Sequence, residues 1–477
     1  MRKTGDPTAD RQQFVPVQVF ELALEQPLPS LTAPPAGSPA GRALMLVRLH
    51  DAALGTVETD IPAGGLSADR VADLVWEALA HRITDHLAHD GLSPVSGLSA
   101  DGLPAAEQPR CQRIRDAFLA TAPEMTVLIP SRERPDRLRR CVDSILACDY
   151  PEERFQVIVV DNAPQTGGTQ ALVEELGRRT DGRVRYAREE MPGSASARNR
   201  GLPLVNTELV AMTDDDVIVD RHWLTEIARA FAAHPAAGAV SGLLMPAELE
   251  TQAQVWFEQY GGFGRGFDRR VYDLEANRPA DEPLYPWNAG LFGTGNNFSF
   301  RTRALIDIGG FDPALGNGTP ALGGVDSEVL LRTILSGYQI VYEPNALVHH
   351  AHRPDYEGLR RQVYAYGAGL VAYYLKTVLA EPRFALDFAR KLPVGIRWML
   401  SPEAHVNKHK QDDYPAELVW EERRGMLYGP LAYARSRRRY GPHRVYRRAA
   451  SSAGPAGPQV PPPSGSDVPS PRDACVA

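Results

Sequence analysis

An α/β fold built on a mostly parallel sheet is predicted for the middle of this chain. From Met125 onward, short apolar runs alternate with amphipathic helical segments, which is the pattern of successive βαβ units. Two of those runs end in acidic residues, at Asp161 and at Asp214 to Asp216, as expected where strand ends form a ligand-binding rim. The composition is that of a globular protein, with 43% hydrophobic and 23% charged residues.

The elements follow in order. Thr126 to Pro130 is the first predicted strand and Asp136 to Ala147 the first helix; Phe155 to Val160 and Gln170 to Arg179 form the next pair. Val184 to Tyr186, Ala195 to Leu204, Leu209 to Met212 and Trp223 to Ala233 continue the alternation. Right-handed crossovers then bring the strand C-termini to one rim.

At 477 residues the chain is long for one domain, so flanking parts are expected. Residues 1–13 read as a flexible N-terminus and 14–90 as a small α+β module. Within that module Phe14 to Leu24 and Ala43 to Ile61 are strand-rich, with a turn at Asp51 to Gly55. A helix follows, capped by Ser67, with Val71, Leu74, Val75, Leu79, Ile83 and Leu87 at helical spacing. Residues 91–123 read as a linker, 124–376 as the central domain and 377–449 as a helical extension with an Arg-rich end. Residues 450–477, dominated by Pro, Ser, Gly and Ala, read as a disordered tail.

Several function classes are disfavoured. A net charge of −7 gives no reason to expect nucleic acid as a partner. Cys111, Cys141, Cys148 and Cys475 are too few and too irregularly spaced for a disulfide framework or a zinc ligand set. There is no apolar signal-peptide core and no run approaching the roughly 20 apolar residues of a membrane span. A cytoplasmic location, with peripheral attachment to the inner face of the membrane as an option, is the expectation.

The chemistry concentrates at Asp214, Asp215 and Asp216. Three crowded carboxylates at a sheet rim call for a cation, and carboxylate oxygens suit Mn²⁺ or Mg²⁺. Were the segment extended, Asp214 and Asp216 would point together and Asp215 away. Asp161, at the end of another strand, can accept hydrogen bonds from a base or ribose.

Eight motifs, in order, resemble glycosyltransferase family 2. They begin with Val127 to Arg134, Val159 to Asn162, Pro192 to Gly201 and Thr213 to Val217. Gly293 to Arg301, Gly309 to Asp312, Gly323 to Arg332 and Tyr342 to His350 complete the set. The resemblance implies a GT-A fold, Rossmann-like, and a non-processive, inverting sugar transfer from a nucleotide diphosphate sugar, expected to be UDP-linked. It implies nucleotide-sugar contacts at Pro130, Ser131, Glu133, Asp161, Arg198, Asp214 and Asp215. Asp216 is implied as metal ligand, and of His349, His350 and His352 the second is favoured to complete the metal site. Asp326 is implied as general base.

The chain departs from the family pattern at Val325, where an acidic residue is common. It also lacks the Arg and Trp of the processive synthases around Gln362 to Gly367. The acceptor is left open among glycan, lipid-linked and small-molecule classes. Seven arginines between Arg435 and Arg448, with Tyr440 and Tyr446, offer a contact to an anionic membrane. A sugar-phosphate nucleotidyltransferase and a non-catalytic sugar-binding scaffold are the competing readings.

Overall fold

The computed structural model describes residues 14–32, 41–104, 108–401, 407, 409–411 and 413–443. The expected tail at 450–477, the N-terminal 13 residues and part of the Arg-rich run lie outside the described residues.

Three strands, β1 (Val17–Ala23), β2 (Gly41–Leu49) and β3 (Ala52–Ile61), form a small sheet in that order. The β2–β3 turn falls at His50 and Asp51, both at positive φ, so Ala52 to Gly55 is already strand rather than turn. Helix α1 (Ala68–His89) begins where Ser67 accepts the backbone N–H of Arg70 and buries Val71, Val75, Leu79, Ile83 and Leu87 against the sheet. This core continues past Asp90: Leu103 is buried in it and donates its N–H to Leu24. The segment expected to be a linker contains a helix, α2 (Arg110–Leu119). Its one buried residue is Arg115, so polar anchoring replaces the apolar stripe that would have announced it.

The central sheet has nine strands. These are β4 (Met125–Ser131), β5 (Phe155–Asn162), β6 (Val184–Glu189), β7 (Leu209–Met212), β8 (Val217–Val219), β9 (Ala237–Pro246), β10 (Arg270–Tyr272), β11 (Phe298–Arg301) and β12 (Gln339–His350). Their order is β10-β12-β9-β11-β7-β4-β5-β6, with β8 paired to β12. Strands β6, β5, β4 and β7 are parallel neighbours, and β11 joins antiparallel to β7 and β9. The chain moves from β4 out to β6 and then returns on β4's other side as β7, so a topological switch point lies between β4 and β7.

Crossover helices α3 (Pro135–Leu146), α4 (Gly168–Arg179), α5 (Ser194–Gly201) and α6 (Trp223–Ala233) cover the sheet. Short helices α7 (Gln252–Gln259) and α8 (Thr302–Asp307) follow, and α9 (Val325–Leu335) leads into β12. Two apolar cores fill the faces: Val127, Ile129, Val157 and Val159 point to one, Leu128, Ile158 and Val160 to the other. That alternation along buried strands is the period of two.

Beyond the sheet, α10 (Tyr356–Ala380), α11 (Ala385–Leu400) and α12 (Ala416–Tyr440) form the extension. Helices α10 and α12 meet through glycines rather than large side chains. A Cβ on Gly367 would lie 2.0 Å from the Glu422 carbonyl oxygen, and one on Gly425 would lie 2.0 Å from that of Tyr364. Trp256 and Phe257 are buried with Leu359, Val363 and Leu418 and are core residues. No described helix is long and apolar enough to cross a membrane.

Candidate donor and metal site

The C-terminal ends of β4, β5 and β7 deliver the predicted site residues to the switch point. Pro130 and Ser131 close β4, Asp161 lies near the end of β5, and Asp214 to Asp216 follow β7. The acidic segment is not extended. It turns at Asp215 and Asp216, and the three side chains separate differently from the expected alternation.

Asp215 is buried and accepts the Ser131 hydroxyl at 2.7 Å, with Arg134 Nη1 at 3.3 Å from its other oxygen. It ties β4 to the acidic turn. Asp216 shares Arg134 at 3.2 Å, lies 3.7 Å from Arg137, and has its Oδ1 3.5 Å from His350 Nε2. Asp214 faces the other way, toward Arg198 at 3.0 Å. Burial, opposed by Arg198 and reinforced by Asp216, pushes the Asp214 carboxyl up to about 7.

His350 reaches Asp216 through strand pairing. The end of β12 runs antiparallel to β8, setting His350 opposite Val217, and Ala351 N–H donates to the Asp216 carbonyl. The other two histidines are committed elsewhere, His349 to Glu21 at 3.2 Å and His352 to Glu258 at 2.6 Å. Burial pulls the His350 imidazole down to about 4, so it is neutral near pH 7. A carboxylate and a neutral imidazole converging at a sheet rim are a fitting donor pair for Mn²⁺ or Mg²⁺ with further water and phosphate oxygens.

Asp161 accepts the Tyr186 hydroxyl at 3.1 Å, while its Oδ1 is buried with no hydrogen-bond partner among the described residues. An orphaned acceptor of this kind fits a donor on a bound ligand. Glu133 is exposed at the start of the segment after β4. Its oxygens hold the backbone N–H groups of Gln165 and Thr166 and the Thr166 hydroxyl, so it shapes the loop after β5. A Glu at φ 54° is held there by those bonds.

Asp326 sits in the first turn of α9, behind Gly324 at φ 83°. Arg198 joins it to the acidic turn: one guanidinium nitrogen donates to Asp326 at 3.0 Å, the other to Asp214 at 3.0 Å and to the Gly295 carbonyl at 3.2 Å. That guanidinium is buried, over the rings of Phe298 and Phe311 at 5.1 and 5.6 Å. Gly295 is required by the approach, since a Cβ there would lie 2.2 Å from the Asp326 carboxyl carbon. Val325 is buried against Gly316, where an acidic residue would be desolvated.

Sequence reasoning missed Arg134 and Arg137 as counter-ions of the acidic turn. It also missed the buried group Glu328, Arg332 and Lys376, which anchors α9 to α10. The four-residue spacing of Glu328 and Arg332 was the available signal for that group. At the extension's end Arg435, Arg437, Arg438 and Arg439 lie in the last turns of α12, and Tyr440 donates to the Pro192 carbonyl beside the site.

A family model described as glycosyltransferase like family 2 matches residues 123–366. The chain is 28% identical over 233 residues to pre-mycofactocin glycosyltransferase of Mycobacterium tuberculosis, covering 48% of this chain and 43% of that protein. It thus spans less than half the length of that relative. It is 24% identical over 292 residues to glycosyltransferase AglE of Haloferax volcanii, covering 61% of this chain and 86% of that protein. Among solved structures it is similar to the mannosyltransferase PcManGT from Pyrobaculum calidifontis in complex with GDP-Man and Mn²⁺. That similarity has 20% identity and a TM-score of 0.41, over 67% of this chain and 76% of that one.

Proposed function

Because the chain belongs to glycosyltransferase-like family 2, we propose that it transfers a sugar from a nucleotide diphosphate to an acceptor, inverting the anomeric carbon, with Asp326 as general base. The central domain has the family's GT-A fold. The observation that carries the reading is the Arg198 bridge. Two carboxylates 112 residues apart in sequence are gripped by one guanidinium at a sheet rim, which supports a reading with donor and acceptor groups side by side.

In the proposed displacement the acceptor oxygen bonds to the anomeric carbon from the face opposite the phosphate. The carbon–oxygen bond to the diphosphate breaks, its electron pair leaves with the diphosphate, and Asp326 takes the acceptor's proton. Asp161 and Ser131 border the nucleotide. A divalent Mn²⁺ or Mg²⁺ held by Asp216 and His350 would neutralise charge on the departing diphosphate. The UDP assignment rests on the family resemblance. Peripheral contact with anionic membranes through Arg435, Arg438 and Arg439 is a further part of the proposal, tested by salt-dependent sedimentation with phosphatidylserine vesicles.

The deciding experiment has two stages. Thermal shifts of the full chain against UDP- and GDP-sugars, with and without Mn²⁺, identify the donor, because a ligand of the native state raises apparent stability. Asp326→Asn is then expected to bind that donor as the wild type does while losing about 10² to 10⁴ in turnover, whereas Asp216→Ala loses the Mn²⁺-supported part of binding. Full turnover by Asp326→Asn overturns the base, and release of inorganic pyrophosphate from a nucleoside triphosphate would favour the nucleotidyltransferase. Donor binding with no turnover on any acceptor or water would favour a scaffold.

A further inference from the structure

Away from the donor site, the described residues converge four metal-ligating atoms. His50 stands at the β2–β3 turn, His86 and Asp90 at the C-terminal end of α1, and Cys111 in the first turn of α2. Their Nδ1, Nε2, Oδ2 and Sγ atoms all lie within 4.8 Å of one another. We propose that these side chains form a structural zinc site that fastens α2 to the N-terminal module.

Three of the distances approach a tetrahedron's edges, while the two from Asp90 Oδ2 to His50 and Cys111 are shorter, at hydrogen-bond length. Zinc at its usual ligand lengths separates two N or O ligands by about 3.3 Å and an S from an N by about 3.6 Å. Here His50 Nδ1 lies 3.2 Å from His86 Nε2 and 2.7 Å from Asp90 Oδ2, and His86 Nε2 is 3.3 Å from Asp90 Oδ2. Cys111 Sγ is 3.0 Å from that oxygen and 3.8 Å from His86 Nε2. The same four atoms could be read as a nucleophile relay, with Cys111 activated by His86. A relay needs the carboxylate on the far imidazole nitrogen, whereas Asp90 faces the very nitrogen that faces Cys111. The four atoms instead lie within 4.8 Å of one another.

The surroundings fit a closed site. Asp90 Oδ1 is occupied by the Cys111 backbone N–H at 2.8 Å, which orients the carboxylate and leaves Oδ2 for the centre. His50 is buried and sits at φ 53°, an unusual conformation for its type, and its N–H is held by Glu25. Asp90's side chain is fully enclosed. Two imidazoles, a thiolate and a carboxylate are a donor set for Zn²⁺ rather than for Mg²⁺ or Ca²⁺, and four protein ligands leave no open position. Binding exchanges the Cys111 thiol proton, now directed at Asp90, for a sulfur–zinc bond and releases the proton to solvent.

Cysteine spacing could not signal such a site, because its ligands would come from three elements rather than from a cysteine pattern. Only His86 and Asp90, four apart on one helix, are close in sequence. The consequence reaches the catalytic domain. Helix α2 also carries Arg115, which binds Asp51 at 2.6 Å and approaches Glu226 of α6 at 3.9 Å.

The test uses the full chain with Asp216→Ala, which removes the donor-site ligand and leaves the four residues untouched. After dialysis against a weak chelator it is expected to retain about one zinc per chain. Replacement by Co²⁺ is expected to give the intense visible bands of tetrahedral cobalt and a thiolate charge-transfer band. Cys111→Ser should abolish that band, and His86→Ala should lower zinc content about tenfold or more. A folded chain with neither zinc nor tetrahedral cobalt bands overturns the proposal. So does a thiolate band that survives Cys111→Ser; if that variant fails to fold, the cobalt spectrum of the chain retaining Cys111 decides alone.

Discussion

Replacing Arg198 tests whether one guanidinium organises both halves of the cleft. Its two ion pairs, each at 3.0 Å, are hydrogen bonds to charged acceptors, a class worth about 1.5 to 3 kcal/mol each. The carboxylates themselves are 31% and 38% exposed and regain water when the arginine is lost, so the low end applies. Arg198→Ala is therefore expected to cost about 2 to 3 kcal/mol of stability. The kinetic cost is larger in kind. Loss of positioning by an ångström lowers turnover about 10²-fold. Arg198→Lys keeps the charge but offers one compact ammonium in place of a planar fork, so it cannot span both carboxylates in their present places. It is expected to recover most of the stability and little of the turnover. Chemical denaturation and nucleoside diphosphate release, measured side by side, separate the two. Wild-type kcat in Arg198→Lys, or in a folded Arg198→Ala, refutes the bridging role.

Three further outcomes follow from particular contacts. Asp161→Ala is expected to weaken donor affinity about 10- to 100-fold by calorimetry, the worth of one hydrogen bond to a charged group; unchanged affinity would remove Asp161 from the nucleotide site. Glu328→Gln leaves Lys376 and Arg332 without their buried partner and is expected to cost about 3 to 5 kcal/mol in denaturant unfolding. Although burial opposes it, the pair of cations holds the Glu328 carboxyl well below the usual range. Its contribution is thus full above an unfolded value of about 4.3 and is lost as pH falls below that, so Glu328→Gln should flatten the acid limb of stability; an unchanged limb counts against the linkage. Gly425→Ala drives a methyl into the Tyr364 carbonyl oxygen and should cost about 1 to 3 kcal/mol or more, visible as a lower Tm, while a neutral result would mean the seam can spread.

The βαβ core was legible because its strands are continuous apolar runs and its helices carry a clear stripe. The ends of β4, β5 and β7 could be named for the same reason. The orientation of Asp214 to Asp216 was not, because Ser131 and Arg134 draw Asp215 and Asp216 into a turn, and those partners lie more than eighty residues away. Helices α10 and α12 were faint since their contact stripe is Gly367, Gly425 and Gly429 in place of Leu or Ile. Helix α2 was invisible to periodicity because Arg115 anchors it. What the residues alone could not supply was which distant charge answers which.

Glu21 of the first strand holds His349, and the next residue along β12 is His350, the imidazole opposite Asp216. The small N-terminal sheet is therefore tied to the segment that carries His350. By reciprocity, whatever free energy a donor gains from an ordered His350 must reappear as protection of β1 when the donor binds. Amide exchange at Val19 to Leu22 would then slow on adding nucleotide sugar, a readout in a module that carries none of the transfer chemistry.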